Sequence, residues 1–322
     1  EEAVLLQGAL DYVNPMGQHL PLQLVNMPEA LLVSGAAFVA LLLAVVMLLS
    51  TMWRHSATLL HGLLVVCLWL KSTELALKWQ YFAILAREGQ APVPRVQAWQ
   101  LSAKLHSTCE LLLLLVAALG WRTLRPRLTL LEVRFITLAM SLACGLSVLE
   151  VFSSSAGPRV QDGVMSLSLL SMLVRLMCYL VIILAMNLNL QFIAVHLAES
   201  PLSPHAVVLY QKQQAYMHFR RVFLGLLFRP FALLWLRLSV LGGAAGEGLE
   251  WAAAALWEAS TWMIYAALAV ALRPGLHKHS LLQLVRSTTA ADVGDVAEAE
   301  TERGAVSVAD RIGGAEAAVA ME

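Results

Sequence analysis

The chain has 322 residues, 59% of them hydrophobic and 14% charged, and its formal net charge is zero. Its mean hydropathy is +0.70. Soluble domains average about 45–50% apolar and about 25% charged residues, so this composition excludes an ordinary soluble enzyme, a disordered chain and a nucleic-acid binder. The balance of charge hides an asymmetry. Residues 287–322 carry eight acids (Asp292, Asp295, Glu298, Glu300, Glu302, Asp310, Glu316 and Glu322) against Arg303 and Arg311, a net of −6. The rest of the chain therefore carries +6.

Residues 1–27 contain no run of the roughly 20 apolar residues that a spanning helix needs, and no signal peptide. Seven such runs follow. The first is Ala30–Trp53. The second, Ala57–Trp79, carries Lys71, Glu74 and Lys78 at spacings of three and four, which puts them on one helix face. After REGQAPVPR comes Trp99–Trp121, with Lys104, and with His106 and Glu110 one turn apart. TLRPR leads into Phe135–Ser154, which holds Glu150, and SSSAGPRVQDG leads into Met165–Leu190, which holds Arg175. That fifth helix is expected to run on through Asn187, Asn189 and Gln191 beyond the membrane. The sixth run, Val222–Leu241, includes Arg229, Pro230 and Arg237, and a kink is expected at the proline. GGAAGEG separates it from Trp251–Leu272, which holds Glu258.

These runs predict an all-α membrane protein, a seven-transmembrane helix bundle over residues 28–286. The tail, 287–322, is rich in Ala, Val and acids without a sustained apolar face, and is expected to be disordered and cytosolic. Orientation follows from the basic residues. With the N-terminus outside, Arg54, Arg122, Arg125, Arg127, Arg134, Lys212, Arg220, Arg221, Arg273, Lys278 and Arg286 fall inside. Only Arg87, Arg95 and Arg159 fall in the outer loops. The N-terminus is therefore expected in the lumen or outside the cell, and the C-terminus in the cytosol. Residues 1–27 then read as a luminal lead-in, the end of an exported N-terminal domain that lies upstream. Trp53, Trp79, Trp99, Trp121 and Trp251 at the predicted helix ends agree with this register.

A charge at the bilayer centre costs about 2.5–3.5 kcal/mol even on insertion scales, so each intramembrane charge calls for a reason. At about 1.5 Å per residue, Lys71, Glu74, Lys104, His106, Glu110, Glu150, Arg175, Arg237 and Glu258 fall in the outer half of their helices. Arg229 is central. Snorkelling and internal ion pairs account for Lys78, Lys104 and Arg237. Glu110 and Arg175 lie too deep to reach the interface. Lys71 and Arg175 are the candidate partners of Glu110; Glu110, Glu150 and Glu258 are those of Arg175. The alternative is a polar cavity in the luminal half, built for a ligand, an ion or a partner segment. Arg54, Arg122, Arg125, Arg127, Arg134, Lys212, Arg220 and Arg221 would form a basic cytosolic face. Cys67, Cys109, Cys144 and Cys178 each sit in an apolar run, match no zinc spacing and read as small hydrophobes. No metal, cofactor or catalytic constellation is predicted. The seventh run has no lysine for a retinal Schiff base, and GGAAGEG lacks the Gly-Lys-Ser/Thr of a phosphate loop.

Several stretches resemble the seven-transmembrane family that carries a luminal GOLD domain, also called lung seven-transmembrane receptors. They are LDYVNPMGQHLP (Leu10–Pro21), LHGLLVVCLWLKSTEL in the second run, LGWRTLRPRL (Leu119–Leu128) and YQKQQAYMHFRRVF before the sixth. In the seventh, LWEASTW is followed by ALRPGLHKHSLLQL. The Lys-Ser and Arg-Pro details lean toward the Golgi and plant candidate G-protein-coupled-receptor branch. Two departures stand out: the GOLD domain is absent from this chain, and Gly275-Leu276-His277 replaces the usual Asn after Arg-Pro. The resemblance implies a non-enzymatic protein of Golgi and endosomal membranes that handles cargo, with sorting machinery on the cytosolic side. An orphan receptor coupled to a G protein, at the plasma membrane, is the first alternative; an ion channel or transporter is the second. In every case the partners are the lipid bilayer and a luminal ligand or cargo protein, with no nucleic acid.

The tail has too little apolar area to offset an ordering cost of about 1–2 kcal/mol per residue. Deleting it from Ser287 should leave membrane insertion and thermal stability in detergent unchanged. A large fall in the midpoint of thermal aggregation would contradict that expectation.

Overall fold

The computed structural model describes residues 19–21, 24–51, 58–90, 92–120, 128–154, 161–199, 204–236 and 250–272, and all its regular structure is helical. The helices are α1 (Met27–Thr51), α2 (Leu59–Glu88), α3 (Val93–Ala118), α4 (Leu130–Ser154), α5 (Gln161–Glu199), α6 (Pro204–Leu236) and α7 (Glu250–Ala271). Six of them are long and apolar enough to cross a membrane. The sixth, α6, carries Lys212, Arg220, Arg221 and Arg229 and is the exception. The lead-in up to residue 18 and the acidic tail lie outside the described residues.

Local chemistry sets the ends. Thr58 N–H donates to His61 Nδ1 at 3.1 Å, and the Thr58 side chain meets the same nitrogen at 2.8 Å, closing a capping box on α2. Thr129 and Glu132 do the same for α4 at 2.7 and 3.3 Å. Gly89 ends α2 with φ of 70°, a left-handed cap that suits glycine. A Cβ there would also press on the His19 ring at 3.2 Å. Pro92 and Pro94 then open α3, whose first turn needs no donor from a proline. Backbone chemistry, and not hydropathy, therefore sets this corner. As a result α2 runs on to Glu88 rather than Trp79, and α3 begins at Val93 rather than Trp99. The sixth helix is longer than its apolar run and continues through Pro230 to Leu236.

Packing contacts run α1–α2–α3–α5–α6–α7 and back to α1, a closed ring of six helices. The fourth helix lies outside the ring against α3 and α5. Inside the ring, Leu60, Leu64, Leu68, Leu113, Phe38 and Phe223 are fully buried. Outward faces are apolar too: Val33, Leu131, Met172, Phe231 and Trp235 are exposed, as lipid contact requires.

One end of the ring is tied by hydrogen bonds to helix-terminal carbonyls. His61 Nδ1 accepts from Thr58, so its Nε2–H donates, at 2.8 Å, to the carbonyl of Leu272 at the end of α7. At the same end, Asn189 Nδ2 donates to Ala118 O at 2.8 Å and the Tyr216 hydroxyl donates to Ala117 O at 3.2 Å. Ala118 O is a carbonyl that the end of α3 leaves without a helical partner, whereas Ala117 O also accepts the Gly120 N–H at 3.1 Å. Asn189 and Tyr216 also mark a level. Beyond it, α5 continues to Glu199 and α6 begins as far back as Pro204, so the two helices project past the bundle together. Replacing His61 with Ala removes its ring bonds to Thr58 and to Leu272, at about 1 kcal/mol each. The variant should unfold several degrees lower in a detergent thermal scan, and an unchanged midpoint would show that the α2–α7 tie carries no stability.

Candidate functional site

Charged side chains from α2, α3 and α7 meet inside the ring. Lys71 Nζ lies 3.1 Å from Glu74 Oε1 and 2.9 Å from Glu258 Oε2. Lys71 is only 3% exposed and Glu258 4%. The second oxygen of Glu74 lies 3.4 Å from His106 Nδ1. On the far side of that ring, Nε2 lies 2.8 Å from the Tyr265 hydroxyl, in hydrogen-bond contact. Tyr265 is fully buried and packs edge-on against Phe38, whose centroid lies 5.9 Å from Lys71 Nζ. A continuous chain thus runs Glu258–Lys71–Glu74–His106–Tyr265, starting and ending on α7.

Helical periodicity explains why these residues can meet. Lys71 and Glu74 are one turn apart on α2, and Glu258, Thr261 and Tyr265 lie on one face of α7, where all three are buried. Counted at about 1.5 Å per residue from the Leu272–Ala118 end, Lys71 sits about 15 Å deep and Glu258 about 21 Å deep. In a hydrocarbon layer about 30 Å thick, the chain spans the middle of the bundle.

A second group lies toward α5 and α6. Arg229 Nη1 donates to Thr261 Oγ1 at 2.7 Å, and its guanidinium stacks 4.0 Å from the Trp257 ring centroid. Arg175 Nη1 donates to Ser107 Oγ at 2.6 Å. Glu110, one turn after Ser107 on α3, lies in the field of Arg229, Lys71 and Arg175. The remaining pair is separate: Lys104 Nζ meets Glu150 Oε2 at 2.7 Å between α3 and α4, outside the ring.

The pairing differs from the expected one. Lys71 serves Glu74 and Glu258 rather than Glu110, and Glu150 is taken by Lys104. Arg175 bonds to a serine hydroxyl instead of a carboxylate. Intervening packing decides this, because α4 stands outside the ring and keeps Glu150 away from the centre. Arg237, Arg54, Arg122, Arg125 and Arg127 lie outside the described residues. Of the basic face, Arg134, Arg220 and Arg221 are exposed and Lys212 is partly so. Sequence reasoning missed Tyr265, Thr261 and Ser107. The spacing of seven from Glu258 to Tyr265 was the available signal, since it repeats one helix face after two turns. Cys67 and Cys109 are free thiols whose sulfurs lie 3.2 Å apart across α2 and α3.

Residues 30–276 match the model of a family described as "GOST, seven transmembrane domain". No curated protein matches the chain.

Removing one member of a buried ion pair leaves an uncompensated charge, at about 3–5 kcal/mol. Lys71→Met strands two carboxylates and should abolish the monodisperse peak in fluorescence-detected size-exclusion chromatography. Adding Glu258→Gln should restore part of it. Arg175→Leu, which breaks no ion pair among the described residues, should be milder than Lys71→Met, and the reverse ranking would contradict the pairing described.

Proposed function

Because the chain belongs to the GOST seven-transmembrane family, we propose that it serves membrane trafficking in the Golgi and endosomes as a non-enzymatic, cargo-handling protein. The observation that carries this reading is the match over residues 30–276, which covers most of the stretches that resemble the Golgi branch of the luminal-GOLD family. The polar centre, from mid-bundle into the luminal half, is then the part that responds to a luminal ligand or cargo. The projecting ends of α5 and α6, with Phe192, Val195 and Tyr210 exposed, offer a surface for sorting machinery. The excess of Lys and Arg in the segments on that side supports a cytosolic position for these ends and a luminal N-terminus.

Two measurements test this. In sealed vesicles, protease added outside should remove a C-terminal tag, and a protected tag would reverse the orientation. The tagged full-length protein should co-localise with Golgi markers, and proximity labelling should recover coat or sorting proteins. Confinement to the plasma membrane, with nucleotide-sensitive capture of a heterotrimeric G protein, would replace trafficking with signalling.

A further inference from the structure

The six-helix ring encloses more hydrogen-bonding capacity than its side chains use. Lys71, Arg175 and Arg229 stand against Glu74, Glu110 and Glu258, so the formal charges balance and the interior has no call for an ion. Among the enclosed atoms that have no hydrogen-bond partner among the described residues, Glu258 Oε2 has the Lys71 ammonium beside it, whereas Glu110 Oε1, Arg175 Nη2 and Arg229 Nε have no ion pair there either. They come from α3, α5 and α6, and Arg175 bonds Ser107, which lies one turn before Glu110 on α3. Glu110 lies in the field of both arginines, and Tyr179 on α5 lies in the field of all three groups.

In a bilayer interior no solvent reaches such atoms, and leaving them unmet is costly. The deficit has a defined composition, one acceptor and two donors. A second carboxylate or ammonium would satisfy part of it and upset the charge balance. A neutral molecule that both donates and accepts fits all of it. A bound water needs about two to four polar partners, and this region supplies three.

We infer that Glu110, Arg175 and Arg229 bind structural water between α3, α5 and α6. Tyr179, one turn from Arg175 on α5, lies in the field of the same three groups. This assignment rests on the side-chain arrangement and is independent of the trafficking reading, so either can fail alone.

Hydroxyl-radical footprinting of the full chain in lipid nanodiscs tests it, because radicals form where water resides. Tyr179 should be labelled well above the fully buried Phe38. After rapid dilution into heavy-oxygen water, Tyr179 should first retain light oxygen, while exposed Tyr210 takes up heavy oxygen at once. The double variant Glu110→Leu/Arg229→Met keeps the net charge and removes two of the three partners, so Tyr179 should lose most of its labelling. An unlabelled Tyr179 in the native protein would overturn the assignment. So would immediate heavy-oxygen uptake there, which means an open vestibule, or labelling that survives in a folded double variant.

Discussion

A lysine amine held between two carboxylates in the middle of a membrane protein is the constraint on which this fold depends. Lys71 lies 3.1 Å from Glu74 and 2.9 Å from Glu258, and none of the three is exposed enough to recover hydration. In such surroundings the attraction between charges is strong, but so is the penalty for parting them. The arrangement therefore specifies geometry more than it adds stability. An α2 rotated by a few tens of degrees, or an α7 shifted by one turn, would bury a charge without its partner. His106 and Tyr265 extend the specification to α3 and bring it back to α7.

The ring closes on polar contacts at more than one level. At one end, the side chains of His61, Asn189 and Tyr216 bind carbonyls at the ends of α7 and α3. Toward the middle, Trp262 Nε1 donates to Ala37 O at 3.1 Å and fastens α7 to α1. Apolar packing between helices has no hydrophobic drive inside lipid, so close contact and hydrogen bonds have to supply the specificity. The buried leucines fill the volume between α2 and α3; the polar side chains decide which helix faces which.

How far the sequence revealed this depends on the interaction concerned. The seven runs were legible because crossing a bilayer demands a length and composition that few soluble segments share. Their ends were less so. At the α2–α3 corner, Gly89 and the prolines outweigh the hydropathy of Trp79–Glu88, and a hydropathy count sees only the latter. The inward-facing charges were legible one by one, because each is expensive in lipid. Their pairing was not, since it depends on which helices are neighbours. Nothing local in the sequence says that α4 stands outside the ring, and that single fact assigns Glu150 to Lys104. Asn189 shows the same limit. A polar stripe after an apolar run reads as a helix leaving the membrane, and α5 does continue to Glu199, yet Asn189 itself is buried against the end of α3.

Ring closure also has an order in time. The contacts that complete it join the earliest helices to the last: 225 residues separate Ala37 from Trp262, and 159 separate His106 from Tyr265. At a synthesis rate of about 5–20 residues per second, α2 and α3 wait roughly ten to thirty seconds for α7. Through that interval Glu258 does not exist. Glu74, one turn away on the same helix, is the carboxylate already in contact with Lys71. The pair within α2 thus works as a temporary escort for the lysine during insertion, and becomes one side of a permanent triad when the last helix arrives.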